Sequence, residues 1–462
     1  MSIPNTLSRL FRLKQSSRWI ALSILLLGLV VQTGFITAVH FSAGFAYLYF
    51  FVLTVGFYRA TVGRNWLEPI ALYLLYSSLI IAAYYVNYWT FPGFYGFTPG
   101  EIAGTDDSYF YSLVASSIPQ DFPVRPGYYL SNHPYEFLME WVSPHSITHP
   151  FDILFFNAVG AVFIPVYTRM LAYEITKDRR IAQLAFWLIA LCPFMLNYTI
   201  ILVRDGWTAA LFAGSIVFYM RRQFGRAAVL GSILFFLRIA SGLQLLLVIG
   251  LLTLYYFSRF DSVRVQTAYI FGTATASIAA VVISYPYLEY LIVKYGGGFI
   301  GLLFRENFLD VLQGMQPSSF FVIINQQPIY LRLPLAFLFF ISFPFFVTEN
   351  MFVQGEFVWR VALKCVYALL FIVYFKWLVQ GAIRLLQKEY LLPRMMFFAF
   401  SVLILLLSQA SMQLRHKVMV MPLFYILVAY GYHRSTRFGR QLGLIGGFAV
   451  AVLNIAKFLL GI

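Results

Sequence analysis

Apolar stretches of about twenty residues recur along almost the whole 462-residue chain, with short clusters of arginine and lysine between them. A helix needs roughly 20 apolar residues to cross a hydrocarbon core of about 30 Å, and in that medium every backbone N–H and C=O must find its partner internally. By that measure spans are expected near 19–38, 42–59, 66–87, 152–173, 181–201, 206–220, 227–238 with 241–258, 266–287, 331–347, 358–377, 395–412, 418–432 and 441–459. The expected fold is an all-α polytopic membrane protein of about 13–14 transmembrane helices. It is read as a single transmembrane domain over 1–462, with a first large outer loop at 88–151 that carries an amphipathic helix. The 227–238 piece is short and Arg238 interrupts it, as in a broken helix that opens onto a polar cavity.

Composition agrees with this class: 61% of residues are hydrophobic and only 11% charged. The formal charge of +15 would otherwise suggest nucleic acid, but the basic residues fall between apolar runs, as in membrane loops. Cys192 and Cys365 both lie inside apolar runs, so they read as free buried thiols and offer no disulfide or zinc framework. Arg9, Arg12, Lys14 and Arg18 precede the run Trp19–Val39, which is too long for the apolar core of a leader peptide and is expected to be the first span.

The basic clusters also predict orientation. Arg59 and Arg64, Lys177 to Arg180, Arg221 to Arg226, Arg259 and Arg264, Arg384 to Arg394, and Arg434 to Arg440 read as cytoplasmic. The loop at 88–151 then faces outward and carries six acids against Arg125 alone. Arg415, His416 and Lys417 are left outside, against the charge rule. Between Arg264 and Glu349 the spans do not return to the required side, so either the second loop, at 290–330, hides a re-entrant piece or one of these spans is misplaced.

Polar chemistry concentrates in the outer loop. Thr105 can cap a short helix with Asp106 and Asp107 in its first turn, Tyr109, Phe110, Leu113 and Val114 on one face, and Pro119 at its end. Two acids there either complement the helix N-terminus, for about 0.3–1 kcal/mol each, or act as general base and metal ligand. His133, His145 and His149 fit a metal or acid–base cluster, but their spacing matches no standard ligand pattern and turn positions explain them as well. Glu136 and Glu140 share a helical face that could be catalytic or only solvated. Arg204–Asp205 falls between two apolar runs on the expected outer side, where ionisable residues are functional candidates by default, and Arg238 lies on the same side. Arg415-His416-Lys417 precedes Met421-Pro422 and reads as an anion site, since arginine grips phosphate oxygens with a bidentate fork and lysine adds a point charge.

These stretches, in this order, resemble the GT-C fold glycosyltransferases, and within them the bacterial relatives of the dolichyl-phosphate-mannose protein mannosyltransferases. Asp106-Asp107 in the first outer loop is similar to the family's acidic motif. Leu191-Cys192-Pro193-Phe194 through Arg204-Asp205-Gly206 looks like its proline-bearing span followed by an acid. Leu237-Arg238-Ile239-Ala240-Ser241-Gly242 resembles its arginine before a new span, and Gln413 to Lys417 with Pro422 its late basic motif, with His416 where an aromatic is usual. The large soluble C-terminal domain of some subfamilies is not expected.

The resemblance implies transfer of a sugar from a polyprenyl-phosphate-linked donor to a glycan or lipid acceptor on the outer face of the inner (plasma) membrane. Asp106 or Asp107 would be the base, with the other orienting the acceptor or binding a divalent cation, a requirement left open. Arg204, Arg238, Arg415, His416 and Lys417 would hold the donor phosphate, and Asp205, His133, His149 and Glu136 are further substrate or metal positions. Two alternatives stay open: a polysaccharide repeat-unit polymerase that uses a lipid-diphosphate-linked oligosaccharide, and a transporter or flippase for such lipids. A transporter is expected to show two related halves with paired broken helices, and the sequence shows no such repeat.

Overall fold

The computed structural model describes residues 15–63, 65–90, 134–144, 149–200, 204–257, 327–342, 358–387 and 414–460, with isolated positions at 324 and within 396–404. Among the described residues the chain is helical, with no strand. In order the helices are α1 (Gln15–Val39), α2 (Phe41–Thr61), α3 (Leu67–Thr90), α4 (Pro134–Val142), α5 (Pro150–Thr176), α6 (Arg179–Ala190) and α7 (Pro193–Thr199). There follow α8 (Asp205–Met220), α9 (Phe224–Leu237), α10 (Ile239–Phe257), α11 (Ile329–Ser342), α12 (Val358–Leu386), a 3-10 helix (Leu414–Met419), α13 (Met421–Arg434) and α14 (Arg437–Leu460).

Six helices, α1, α2, α3, α5, α12 and α14, are long and apolar enough to cross a membrane, and they coincide with six of the expected runs. The chain is a multi-pass membrane protein. The expected run 181–201 is α6 and α7, bent by 53° where Pro193 begins α7, and counts as at most a seventh span. The runs at 206–220, 331–347 and 418–432 are α8, α11 and α13, which at 16, 14 and 14 residues are shorter than a full span. Among the described residues, six helices, or seven with the bent pair, meet the length and composition of a span; the runs 266–287 and 395–412 lie outside that comparison, wholly or largely. The runs 266–287 and 395–412, most of the loop 88–151 and the loop 290–330 lie outside the described residues or largely so.

Helix α5 is the centre, with Phe151–Thr176 surrounded by α2, α3, α6, α8 and α13. Its start is specified locally. Pro150 takes the first helical position, where a missing N–H costs nothing. The His149 ring accepts from Phe151 N–H at 3.2 Å, while His149 N–H donates to Asp152 Oδ2 at 3.2 Å. Its end is a left-handed Lys177 (φ 54°), after which Asp178 caps α6 by accepting from the Arg180 N–H at 2.8 Å.

Close approach is made where side chains are smallest. Gly160 faces the Trp207 ring and Gly214 the Tyr167 ring, which lets α8 run parallel to α5. On α12, Gly381 lies against the backbone of Leu427, and Gly431 of α13 lies against Trp377, so these two helices touch backbone to backbone. The outermost helices, α1 and α14, turn apolar faces such as Ile24, Leu27, Val30 and Ile445, Phe448, Leu453 outward, as contact with lipid requires.

The two ends of the helices differ in charge. At one end α2 and α5 finish, α6 and α9 begin, and α8, α12 and α13 finish, bringing Arg59, Arg179, Arg180, Arg221, Arg222, Arg226, Arg384, Arg434, Arg437 and Arg440 together. The opposite end carries the α1–α2 turn at His40, the starts of α5 and α8, the α9–α10 break and the 3-10 helix. Near the arginine-rich end Glu68 takes Arg169 at 2.6 Å and the Tyr58 hydroxyl at 3.0 Å. The Gln32 amide accepts from Tyr47 and Ser77 and donates to Ser78 and the Leu74 carbonyl.

Candidate functional site

The end opposite the arginine-rich one is where the expected site residues collect. Trp207 fixes the first turn of α8 there: its ring N–H donates to the Phe156 carbonyl at 3.0 Å, and its ring stacks on Phe156 at 4.8 Å. Arg204 and Asp205 are thereby held beside the start of α5. Arg238 is in extended backbone (φ −157°, ψ 94°) between α9 and α10, as the interrupted run predicted. It reaches across to Asp205, Nη1 to Oδ1 at 2.9 Å. Arg204 donates to the Leu237 carbonyl at 3.2 Å, taking one of the acceptors that the end of α9 leaves without a helical partner.

The result is one ion pair, Asp205–Arg238, and a second guanidinium, Arg204, tied to the residue next to Arg238. Asp205 is nearly enclosed, at 5% side-chain exposure, and Arg238 is at 16%, so neither charge is a freely solvated surface group. One turn beyond Arg238, Ser241 is buried with its hydroxyl unpaired, and the Gln244 amide oxygen is buried and unpaired as well. Sequence reasoning did not single these two out, although their spacing from Arg238 places them along one side of α10. An unpaired buried hydroxyl costs roughly 1–3 kcal/mol, so a polar group is wanted there. On α7, Asn197 is likewise buried with its amide oxygen unpaired.

Helix α4 adds to this end. Tyr135 and Met139 are its buried side, and the Tyr135 hydroxyl hydrogen-bonds to Asn157 of α5. Glu136 and Glu140 belong to α4, but their side chains lie outside the described residues. Asp106, Asp107, His133 and His145 lie outside them too, as do the side chains of Arg415 and His416.

His149 is placed as a helix cap. Its ring stacks on His40 at 5.3 Å, and burial, reinforced by His40, lowers its pKa to about 4. The ring is therefore neutral at pH 7, with Nδ1 committed to the Phe151 N–H. Among the described residues no three His, Cys, Asp or Glu side chains converge as a metal site would require.

Lys417 differs from expectation. The sequence reads it as part of a basic anion site; its ammonium is buried, donates to the Ile341 carbonyl at 2.7 Å and lies 4.8–5.7 Å from the rings of Phe371, Phe424 and Tyr367. Burial lowers its pKa to about 7. The backbone carbonyl and the ring faces are among the groups that hold this ammonium in the fold. The same three rings, with Tyr374, Met421 and Tyr425, line a narrow apolar crevice between α12 and α13 that ends near Leu378 and Val428, beside the glycine contact.

The fold and the site define a helical, multi-pass membrane protein with an arginine–aspartate–arginine cluster at one end of the bundle. No family model, curated protein or solved structure matches the chain.

Proposed function

We propose that the protein is a membrane glycosyltransferase of the GT-C type, which moves a sugar from a polyprenyl-phosphate-linked donor to an acceptor hydroxyl on the non-cytoplasmic face. The observation that carries this reading is the enclosed Asp205–Arg238 ion pair, with Arg204 anchored beside it on the Leu237 carbonyl. The forked donors suit the phosphodiester of the donor and the phosphate monoester that leaves, and Asp205 orients the Arg238 fork. Arg415 and His416 would add to it from the adjoining 3-10 helix, which packs on α8.

In this reading the acceptor oxygen attacks the anomeric carbon and passes its proton to Asp106 or Asp107. The bond from that carbon to the phosphate oxygen breaks, and polyprenyl phosphate leaves with the electron pair. The arginines stabilise the charge that grows on the departing phosphate. A divalent cation beside the two aspartates would serve the same leaving group.

Transfer assays in nanodiscs with polyprenyl-phosphate and polyprenyl-diphosphate sugars test the reading. Transfer from a monophosphate donor that Asp106→Asn or Asp107→Asn abolishes, in folded protein, supports it. Activity confined to diphosphate oligosaccharides identifies a repeat-unit polymerase instead, for which two arginines are equally suited. No transfer from any donor, with both variants still complementing a deletion strain, removes the enzyme and leaves a transporter.

A further inference from the structure

At the arginine-rich end, away from the site above, charge is matched unevenly. Glu68 is paired with Arg169, and Glu174 with both Arg221 and Lys177. The corner where α6 begins, α12 and α13 end and α14 begins is different. Arg180, Arg434 and Arg440 all act on His433, and Arg384 is joined to them by donating to the Arg434 carbonyl. Against these four arginines stands Asp178, whose carboxylate already accepts from the Arg180 and Ile181 backbone N–H groups and lies 3.5 Å from the His433 ring.

The corner is built rather than fluid. The Arg440 guanidinium lies over the Tyr432 ring at 5.3 Å and that of Arg434 over Tyr430 at 5.8 Å, which limits the places their forks can take. The Ser435 hydroxyl bridges to Gln380, and Lys376 holds the Gly439 carbonyl at 3.0 Å, so α12, α13 and α14 are tied at this level. Exposed apolar side chains sit in the same turns and beyond them: Ile383 and Leu386 on α12, Phe438 and Leu442 on α14. A cation cluster rimmed by outward-facing apolar residues has the two halves of a phospholipid site, one for the phosphate and one for the acyl chains.

We propose that this corner, formed by Arg180, Arg384, Arg434 and Arg440, binds the phosphodiester headgroup of an anionic phospholipid whose chains lie along α12 and α14. The ordinary excess of basic residues on one side of a membrane protein explains scattered cations that each face water. It does not by itself explain why Arg384 is tied to the Arg434 backbone and Arg434 and Arg440 are seated on neighbouring tyrosines at one corner, beside a carboxylate, Asp178, that is already engaged. This inference is independent of the proposed transferase activity.

The test uses the full chain in nanodiscs of phosphatidylcholine with or without phosphatidylglycerol, reading lipid retained by native mass spectrometry after detergent exchange, together with the thermal midpoint. Wild type is expected to keep phosphatidylglycerol in preference to phosphatidylcholine. Arg434→Gln with Arg440→Gln should lower that retention roughly tenfold, while Arg59→Gln with Arg226→Gln, the same charge removed from the same end, should change it less than about twofold. Arg434→Lys with Arg440→Lys, which keeps the charge, should retain most of the lipid and shows that loss is not misfolding. Equal loss from both glutamine pairs, or no preference for phosphatidylglycerol, overturns the proposal. Stabilisation by inorganic phosphate as large as by phosphatidylglycerol also overturns it, because the corner would then be a free-anion site.

Discussion

Arg238, in the break between α9 and α10, lies 2.9 Å from Asp205 in the first turn of α8, thirty-three residues earlier in the chain. Two interruptions of apolar sequence thus meet as one ion pair, with Arg204 closing the other side on the Leu237 carbonyl. Each partner makes the other tolerable in a setting where a lone charge is expensive.

Removing one member of that pair therefore costs more than removing both. Asp205→Asn or Arg238→Gln should each destabilise the protein by about 3 kcal/mol, since a buried charge loses its partner. The double variant should cost less than either single change. A double-mutant cycle in denaturant titrations checks this, and additive losses would show that the two side chains do not act as a pair.

The contact between α12 and α13 depends on absent side chains. A Cβ at Gly381 would sit 2.0 Å from the Leu427 carbonyl oxygen, and one at Gly431 would sit 2.0 Å from that of Trp377. Backbone cannot give way as a flexible side chain does, so Gly381→Ala or Gly431→Ala should cost about 2–3 kcal/mol. Gly446 has nothing within 4 Å, and Gly446→Ala should be neutral or stabilising by up to about 1 kcal/mol. Thermal midpoints of the three variants rank them directly.

Protonation of His149 should weaken the start of α5. Its pKa in the fold is about 4 against an ordinary 6.5, so below pH 6.5 the opened turn binds a proton that the folded turn does not. Stability is complete above about 6.5, falls by about 1.4 kcal/mol per pH unit as the pH drops, and the loss is complete near pH 4. Hydrogen exchange at Phe151 and Asp152, corrected for intrinsic rates, should rise through this window. His149→Asn keeps a capping acceptor without a titrating ring, and should flatten the dependence.

Gln32 fastens α1 to α2 and α3 through four hydrogen bonds, although most of α1 faces outward. Gln32→Leu should cost about 1–2 kcal/mol and Tyr47→Phe about 0.6 kcal/mol, in line with hydrogen bonds between membrane helices. Cysteine cross-linking between α1 and α3 should fall in the first variant and hardly change in the second.

The long helices were legible because the bilayer sets a length, and α1, α2, α3, α5, α12 and α14 answer to it. The break at Arg238 was legible as well, since it carries its own local cause, whereas 181–201 was read as one span although it bends at Pro193. Partnerships were not: Glu68 and Arg169 are 101 residues apart, and no periodicity relates them. Lys417 was misplaced for a related reason. Loop charge is read as exposure, whereas this lysine's surroundings come from α12 and α13, whose rings enclose it only in the fold. His149 looked like a candidate ligand because a capping histidine and a metal-binding one carry the same residue type in the same kind of turn.

The measurement that bears most directly on the site is the affinity of polyprenyl phosphate for the purified protein, by microscale thermophoresis in nanodiscs. Wild type would be compared with Arg204→Gln and with the charge-balanced Asp205→Asn/Arg238→Gln, which leaves no buried charge unpaired. Weakening of roughly tenfold or more in both, in protein that keeps its thermal midpoint within a few degrees, is the expected result. Unchanged affinity in both variants would contradict the assignment of this cluster to the donor phosphate.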